Sequence, residues 1–347
     1  MTDAVPSQMR ALQIDAYGGP DVVVTRTIAV PTPGPDDVLV RLAYAGVNFM
    51  DVYTRLGRYA TSTARSGHYH SGLPLTLGIE GAGRIVAVGA NVKDWRIGER
   101  VAYALARGSH ADYAVVPTRL LARVPDALGL ERAVAAIFHG LTAHYLAVDI
   151  GRVAPGRSVL VHAASGGIGQ LLVQLARNAG ATVIATASSD AKRATALARG
   201  AACATGYDAD DIVAACRQAT GGKGVDVVFD SVGRDTFVAN LGALATKGSF
   251  VHYGANSGSI SPLDVMRLAD SGSLWFTRPR LADYVADGAT VQRRADAIFG
   301  GLVDGTLTVE VEATVGFDGV VDAQRALEER RAMGKTVVEI DAAVDAP

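Results

Sequence analysis

The residues whose order carries the most chemistry lie in SVLVHAASGGIGQLLVQLA (158–176). Ala164, Gly166 and Gly169 fall at the three small-residue positions of a dinucleotide-binding turn. At Gly166 the missing Cβ lets a pyrophosphate approach the backbone, and at Gly169 it lets a helix pack close to its strand. The phosphates would meet the N–H groups and positive end of a helix beginning near Gly167 and Ile168. A glycine motif alone is weak, but here it stands between an apolar strand and an amphipathic helix, the context that supports it. A Gly-rich turn with a purely structural role is the alternative. The type of dinucleotide is read at the end of the next strand, in TASSDAKR (186–193). NAD sites place an acidic residue there for the ribose hydroxyls. This chain offers Ser188, Ser189, Lys192 and Arg193, hydroxyls and positive charge suited to an extra 2′-phosphate. Asp190 reads as a helix N-cap, so the pattern favours NADPH, with a solvated helix start as the alternative. Tyr207 either flanks the adenine or is a half-buried tyrosine with one polar tip.

Other residues capable of chemistry are fewer. Cys203 and Cys216 are the two cysteines, too few for a thiolate zinc site, and both sit among small apolar residues as core cysteines do. His68 and His70 form a His-x-His pair in RYATSTARSGHYHSG (58–72) with no further ligand nearby, so that stretch reads as a polar loop. His139, His144, His162 and His252 lie in or beside apolar segments and read as structural histidines, although His162 adjoins the glycine turn.

The elements that must position these residues form two textures. Residues 1–135 hold short apolar runs at 38–47, 83–89, 100–105 and 112–117, punctuated by Gly, Pro and Asn. They predict an irregular antiparallel domain or partly open barrel. From 155 onward, strands near 158–163, 182–187, 225–230, 249–254 and 273–278 alternate with helices near 167–180, 190–200, 208–219, 235–245 and 261–271. Such alternation predicts a doubly wound parallel sheet. The last 40 or so residues turn strand-like again and return to the first domain. The expected division is 1–139 with 307–347 as one domain and 140–306 as the other.

The 347 residues carry 33 basic and 35 acidic side chains, a net charge of −2. That balance argues against a dedicated nucleic-acid surface. No apolar run approaches the ~20 residues that span a bilayer, and the first residues show no apolar signal core. A cytoplasmic protein is expected.

Several segments resemble the zinc-free, zeta-crystallin-like quinone oxidoreductases of the medium-chain dehydrogenase/reductase superfamily. They are AYAGVNFMDVY (43–53), GIEGAGRIVAVG (78–89), IFHGLTAHYLA (137–147), HAASGGIGQL (162–171), SSDAK (188–192), VFDSVG (228–233), YGANSG (253–258) and FTRP (276–279). The resemblance implies an α/β Rossmann domain, a GroES-like mainly-β catalytic domain, and NADPH in a cleft between them. It also implies a homodimer joined through the nucleotide domain. The cofactor would be held by Asn48, Thr142, Tyr145, Gly166, Gly167, Ile168 and Gly169. Ser188, Lys192 and Tyr207 would clasp its adenosine phosphate end. Tyr253, Gly254, Ala255, Asn256 and Ser257, with Phe276, Thr277 and Arg278, would line the nicotinamide side. The superfamily's zinc enzymes carry a Cys where this chain has VNFMD and a His-Glu pair where it has Ile79-Glu80, so metal-free chemistry is expected. The implied reaction is hydride transfer to a quinone. An enone or enoyl thioester is the rival acceptor, and a non-catalytic NADPH-binding protein a third reading. Tyr53 is the candidate proton donor or polariser, or else an ordinary pocket wall. Asn48 and Arg278 complete the candidate catalytic set, Arg278 as a group that orients a carbonyl or the cofactor amide.

Overall fold

The computed structural model describes residues 5–60, 72–329, 331–332 and 334–346. His68, His70 and most of the 58–72 stretch lie outside the described residues. The chain divides into two compact units, Met1–Leu141 with Ala282–Gly305 and Val309–Pro347, and Thr142–Leu281 with Thr306–Thr308.

The first unit opens with strands β1 (Gln8–Ile14), β2 (Val24–Ala29) and β3 (Asp37–Gly46), then helix α1 (Phe49–Arg55). Strands β4 (Leu75–Thr76), β5 (Glu80–Val88), β6 (Arg100–Ala104), β7 (Tyr113–Pro117) and β8 (Leu121–Arg123) follow, and then helix α2 (Leu130–Tyr145). The expected strands are all present. The β1–β2 hairpin and α1 went unread. Residues of α1 (FMDVYTR) have poor helix propensity, and seven residues are too few to hold a helix alone. Tertiary contacts hold it instead. Arg55 is fully buried and donates to Gln324 Oε1, Gly18 O and Glu328 Oε2, each at 2.8 Å.

The second unit alternates β9 (Ser158–Val161), α3 (Gly167–Asn178), β10 (Thr182–Thr186), α4 (Asp190–Ala198), β11 (Cys203–Thr205), α5 (Ala209–Ala219) and β12 (Val225–Asp230). It continues through α6 (Phe237–Ala243), β13 (Leu244–His252), α7 (Met266–Asp270) and β14 (Trp275–Thr277). All its strand pairs are parallel, in the order β11-β10-β9-β12-β13-β14. This is the expected doubly wound sheet, and its order reverses between β9 and β12. Every residue of β9 is buried, as a central parallel strand covered on both faces requires. Cys216 is buried in this unit's core beside Leu160, Ile184, Ile212 and Phe250, with Cys203 packed against it, so both cysteines are core residues. Gly180, at φ +80°, follows α3 in the left-handed conformation that ends helices.

The chain then forms α8 (Leu281–Tyr284), α9 (Gly288–Asp304), β15 (Val311–Val315), α10 (Val320–Glu328) and β16 (Lys335–Glu339). Strand β16 pairs antiparallel with β3, so the C-terminal segment completes the first unit's sheet. Helix α9 groups with the first unit, where Gln292 Oε1 accepts the Arg123 backbone N–H at 2.9 Å. Contrary to the expectation that no apolar run approaches membrane-spanning length, the 21 residues Leu130–Ile150, which include α2, are long and apolar enough to cross a membrane, but 67% of the most apolar stretch is buried inside the protein, as in a core helix.

Candidate active site

The glycine turn leaves β9 at its C-terminal end, where the strand order reverses, the usual ligand-binding crevice of such sheets. Its left-handed residue is Ala163, at φ +50°, one position before the first motif position. The Gly166 N–H closes the turn on Ala163 O at 2.9 Å. Gly169 and Gly166 are small for different reasons. A Cβ at Gly169 would stand 2.3 Å from Ala163 O and 2.8 Å from the Cα of Ala164, so it serves strand–helix packing. A Cβ at Gly166 would meet only Ala163 O, at 3.3 Å, so the protein itself leaves that face open. Gly166 is the N-cap of α3 and has no side chain to cap it. The first N–H groups of α3, at Gly167, Ile168 and Gly169, therefore meet no cap side chain. An open face over uncapped amides is the cradle a pyrophosphate fills.

Beneath the turn runs a buried polar chain. His162, Thr186, Asp230 and Asn240 are each 0% exposed. His162 Nδ1 lies 2.8 Å from Thr186 Oγ1 and Nε2 lies 2.6 Å from Asn240 Oδ1. Asn240 Nδ2 donates to Asp230 Oδ2 at 3.2 Å. Since the carboxylate only accepts, the Asn240 amide must face it, so Nε2 of His162 carries the proton and the Thr186 hydroxyl donates to Nδ1. Burial pushes the His162 imidazole below its ordinary pKa, which favours this neutral form. Burial alone would raise the Asp230 carboxyl. Contacts with His252 and the N–H groups of Val232 and Gly233 outweigh it and hold the group below its ordinary value. His162 is thus the structural histidine the sequence suggested, although its contacts reach well beyond its strand.

Asp230 Oδ1 accepts the N–H of Val232 at 2.7 Å and of Gly233 at 3.1 Å, and the Thr236 hydroxyl at 3.1 Å. The Asp230 carbonyl accepts the Tyr253 N–H at 2.8 Å. Ser257 donates from Oγ to Val232 O at 2.9 Å and accepts from Asp235 N at 3.1 Å. Arg278 Nη1 donates to Tyr253 O at 2.8 Å. The structure thereby brings Tyr253, Gly254, Ala255, Asn256 and Ser257 together with Arg278, and Phe276 and Thr277 pair with β13 through Phe250 and Val251. Thr142 and Tyr145 are buried in α2.

At the other end of the turn the N-cap differs from expectation. Ser189, with extended backbone, caps α4 by accepting the Lys192 N–H at 3.3 Å. Asp190 is the first helical residue and pairs with Arg193. Ser189 wins because its short hydroxyl reaches the third helical N–H, whereas Asp190 already has helical geometry. Ser188 is exposed and Lys192 half-buried. Tyr207 accepts the Ala163 N–H at 3.1 Å, and its ring stacks on His162 with centroids 6.2 Å apart. Its hydroxyl oxygen therefore supports the turn, and its O–H remains a donor.

In the first unit, Asn48 begins α1 and its N–H donates to Asp51 Oδ2 at 2.8 Å. Its side chain is engaged on both sides. Nδ2 donates to Glu80 Oε1 at 2.7 Å and Oδ1 accepts from Lys335 Nζ at 2.8 Å. Lys335 also pairs directly with Glu80. Both charges are buried, and a Cβ at Gly46 would fall 2.0 Å from Glu80 Oε1, so this glycine makes the room. Sequence reading missed Lys335, and noted Glu80 only as half of an incomplete ligand pair. The available signal was a charged residue at the start of each of two largely apolar strands, Glu80 in EGAGRIVAV and Lys335 in KTVVE. Burial drives the Asp51 carboxyl up to about 7 against the pull of the Asn48 N–H and Lys335. Tyr53 is half-buried on α1, 6.0 Å from the Phe49 ring, with the Arg58 guanidinium 4.6 Å over its face.

An open parallel sheet with this turn, in a chain that also folds a mainly antiparallel β unit, defines a medium-chain dehydrogenase or reductase. Residues 34–126 match the alcohol dehydrogenase GroES-like domain and residues 167–286 the zinc-binding dehydrogenase family. The chain is 35% identical over 330 residues to a quinone oxidoreductase of Pseudomonas aeruginosa, covering 95% of this chain and 99% of that one. It is 35% identical over 332 residues to a 2-haloacrylate reductase of a Burkholderia species, covering 94% and 98%. The crystal structure of Escherichia coli quinone oxidoreductase complexed with NADPH is 31% identical, covers 95% of this chain and 99% of that one, and superposes with a TM-score of 0.88. The chain belongs to the quinone oxidoreductase family of the medium-chain dehydrogenase/reductase superfamily. Among the described residues, the positions that hold zinc in the superfamily's zinc enzymes do not fit the metal. Val47 and Ile79 offer no ligand atom, and the Glu80 carboxylate is taken by the Lys335 cation.

Proposed function

We propose that this protein reduces a quinone, or a similar conjugated carbonyl, at the expense of NADPH and without a metal. The observation that carries the proposal is the open, uncapped face at Gly166, at the end of β9 where the strand order reverses. NADPH supplies a hydride when bound, and the chain's residues supply position and exclusion of water. In this reading the turn Ala164–Gly169 seats the pyrophosphate. Ser188 and Lys192 read the 2′-phosphate, while Ser189 caps α4 and Arg193, held by Asp190, adds positive field. The loop Tyr253–Ser257 and Phe276–Arg278 flank the nicotinamide, Thr142, Tyr145 and Asn48 complete the site, and Tyr53 supplies or polarises the proton at the reduced oxygen. The unit Thr142–Leu281, most of the expected 140–306, carries the nucleotide, and the other unit, which includes α9, carries the acceptor. We further propose a cytoplasmic homodimer joined through the nucleotide domain. Its parallel sheet ends at β14, where Trp275 is 72% exposed on a short edge strand suited to meet a second copy.

A second reading is reduction of an activated C=C bond, favoured by the similarity to a 2-haloacrylate reductase. Tyr53 would then serve the α-carbon or its enolate. NADPH oxidation by the purified protein with a benzoquinone, a 2-enone and crotonyl-CoA separates the two. The quinone is expected to be turned over fastest. Turnover of the thioester alone would overturn the quinone assignment, and tight NADPH binding with no turnover of any acceptor would leave a binding protein.

A further inference from the structure

We infer that Thr186, His162, Asn240 and Asp230 form one positioning device that sets the glycine turn and the two loops after β12 and β13 against each other. This rests on the proposed seating of NADPH in the second unit. His162 follows β9, Thr186 ends β10, Asp230 ends β12 and Asn240 lies on α6. The four side chains therefore cross the point where the strand order reverses, in the layer just below the proposed ligand.

Three observations carry the inference. Each link is directional, and the contact distances run from 2.6 to 3.2 Å between fully buried groups. Burying four polar side chains in a parallel-sheet core costs desolvation that leucine or methionine would avoid, so filling space is a poor reason for them. Both ends of the chain reach backbone proposed to touch the cofactor. At one end Thr186 O accepts the Ala164 N–H of the turn at 3.0 Å, and the left-handed Ala163 between His162 and Ala164 has its N–H fixed on Tyr207 at 3.1 Å. At the other end Asp230 gathers Val232, Gly233 and Thr236 through its carboxylate and Tyr253 through its carbonyl. Tyr253 in turn holds Arg278. The pyrophosphate end and the nicotinamide end of the proposed site thus share a single network, in which His162 and Asn240 are positioning residues that touch neither end.

The test is an exchange of donor and acceptor. Asn240→Asp sets a carboxylate against Asp230. Adding Asp230→Asn restores the pairing: the new amide donates to the new carboxylate, which still accepts from His162 Nε2, while the amide oxygen still accepts from Val232, Gly233 and Thr236. We expect the dissociation constant for NADPH, titrated by fluorescence on folded protein, to rise about tenfold in Asn240→Asp, as for a lost hydrogen bond of ordinary strength. The double variant is expected to return within about threefold of the unaltered protein. A role in folding alone would change the melting temperature and leave the affinity of the folded protein unmoved. Should Asn240→Asp not fold, Thr186→Val removes only the hydroxyl on Nδ1 and is expected to weaken NADPH about threefold or more. An unaltered protein that never saturates with NADPH removes the proposed function and this inference together. Saturable binding by the unaltered protein with full affinity in the single variants removes the inference alone, as does a double variant no better than Asn240→Asp.

Discussion

The glycine turn of the second unit and the Glu80–Lys335 pair of the first both depend on glycines that let groups approach closely, yet they are built in opposite ways. The turn is made of backbone. Within seven residues Ala163 bends the chain, Gly169 lets α3 press on the strand, and Gly166 leaves the amides uncovered. The pair is made of side chains from strands β5 and β16, 255 positions apart, and Gly46 only clears the space they fill. A local backbone site is broken without unfolding the protein. A buried ion pair assembled from both ends of a sheet is part of the fold, because either charge left alone is stranded.

The largest expected effect breaks the turn and spares the fold. Gly166→Val keeps the φ of −76° that any residue adopts and meets only one protein atom with its Cβ, so its melting temperature is expected to stay near that of the unaltered protein. The branched side chain fills the open face, and NADPH binding is expected to be abolished. Gly169→Val should do the reverse of sparing the fold, since its Cβ would collide with Ala163 O and the Cα of Ala164. Thermal unfolding and NADPH titration of the two variants check this contrast. Retained affinity in folded Gly166→Val would sink the assignment of that face.

Breaking the pair comes next. Lys335→Met leaves Glu80 buried without its cation and is expected to cost about 3–5 kcal/mol in denaturant unfolding. Adding Glu80→Gln removes the stranded charge, and most of that loss is expected to return. If the double variant is as unstable as Lys335→Met alone, charge stranding is not the cause.

The same contrast governs what could be read without a structure. The turn was legible because its chemistry lies in consecutive residues, and the parallel sheet because its strands and helices alternate, with stops such as Gly180. The pair was not, since nothing near Glu80 announces a lysine from the far end of the chain. Helix α1 was hidden because Arg55, clamped by Gln324 and Glu328, supplies what its propensity lacks. Tyr207 and His162 were seen as residues but not as partners, because the ends of β9 and β11, with β10 between them, come near each other only once the sheet is assembled.

A smaller effect sharpens the picture at the adenosine end. In the proposed seating Lys192 reads the 2′-phosphate, while Ser189 caps α4 and Arg193 pairs with Asp190. Lys192→Ala is expected to weaken NADPH by about 1.5–3 kcal/mol, the value of a charge-assisted hydrogen bond, and NADH hardly at all. Parallel titrations with both coenzymes decide it. Equal losses would show that Lys192 does not distinguish them.

The most gradual effect belongs to the first unit and appears as a pH dependence. Burial raises the Asp51 carboxyl to about 7, so the folded protein keeps a proton there that the unfolded chain releases near its ordinary value of about 3.9. Between those values the native state binds the extra proton, and stability falls as pH rises, by about 1.4 kcal/mol per pH unit for one group. Above the folded value both states are ionised and the contribution is flat. Asp51→Asn has no proton to lose and is expected to remove this slope, so its advantage over the unaltered protein should grow from pH 5 to pH 7 and then level off. Urea unfolding of the two proteins at pH 5, 6, 7 and 8 measures the difference. Parallel curves across that range would mean that Asp51 is ionised in the folded state, held so by Lys335 and the Asn48 N–H, and that the charge cluster of the first unit is larger than its single ion pair.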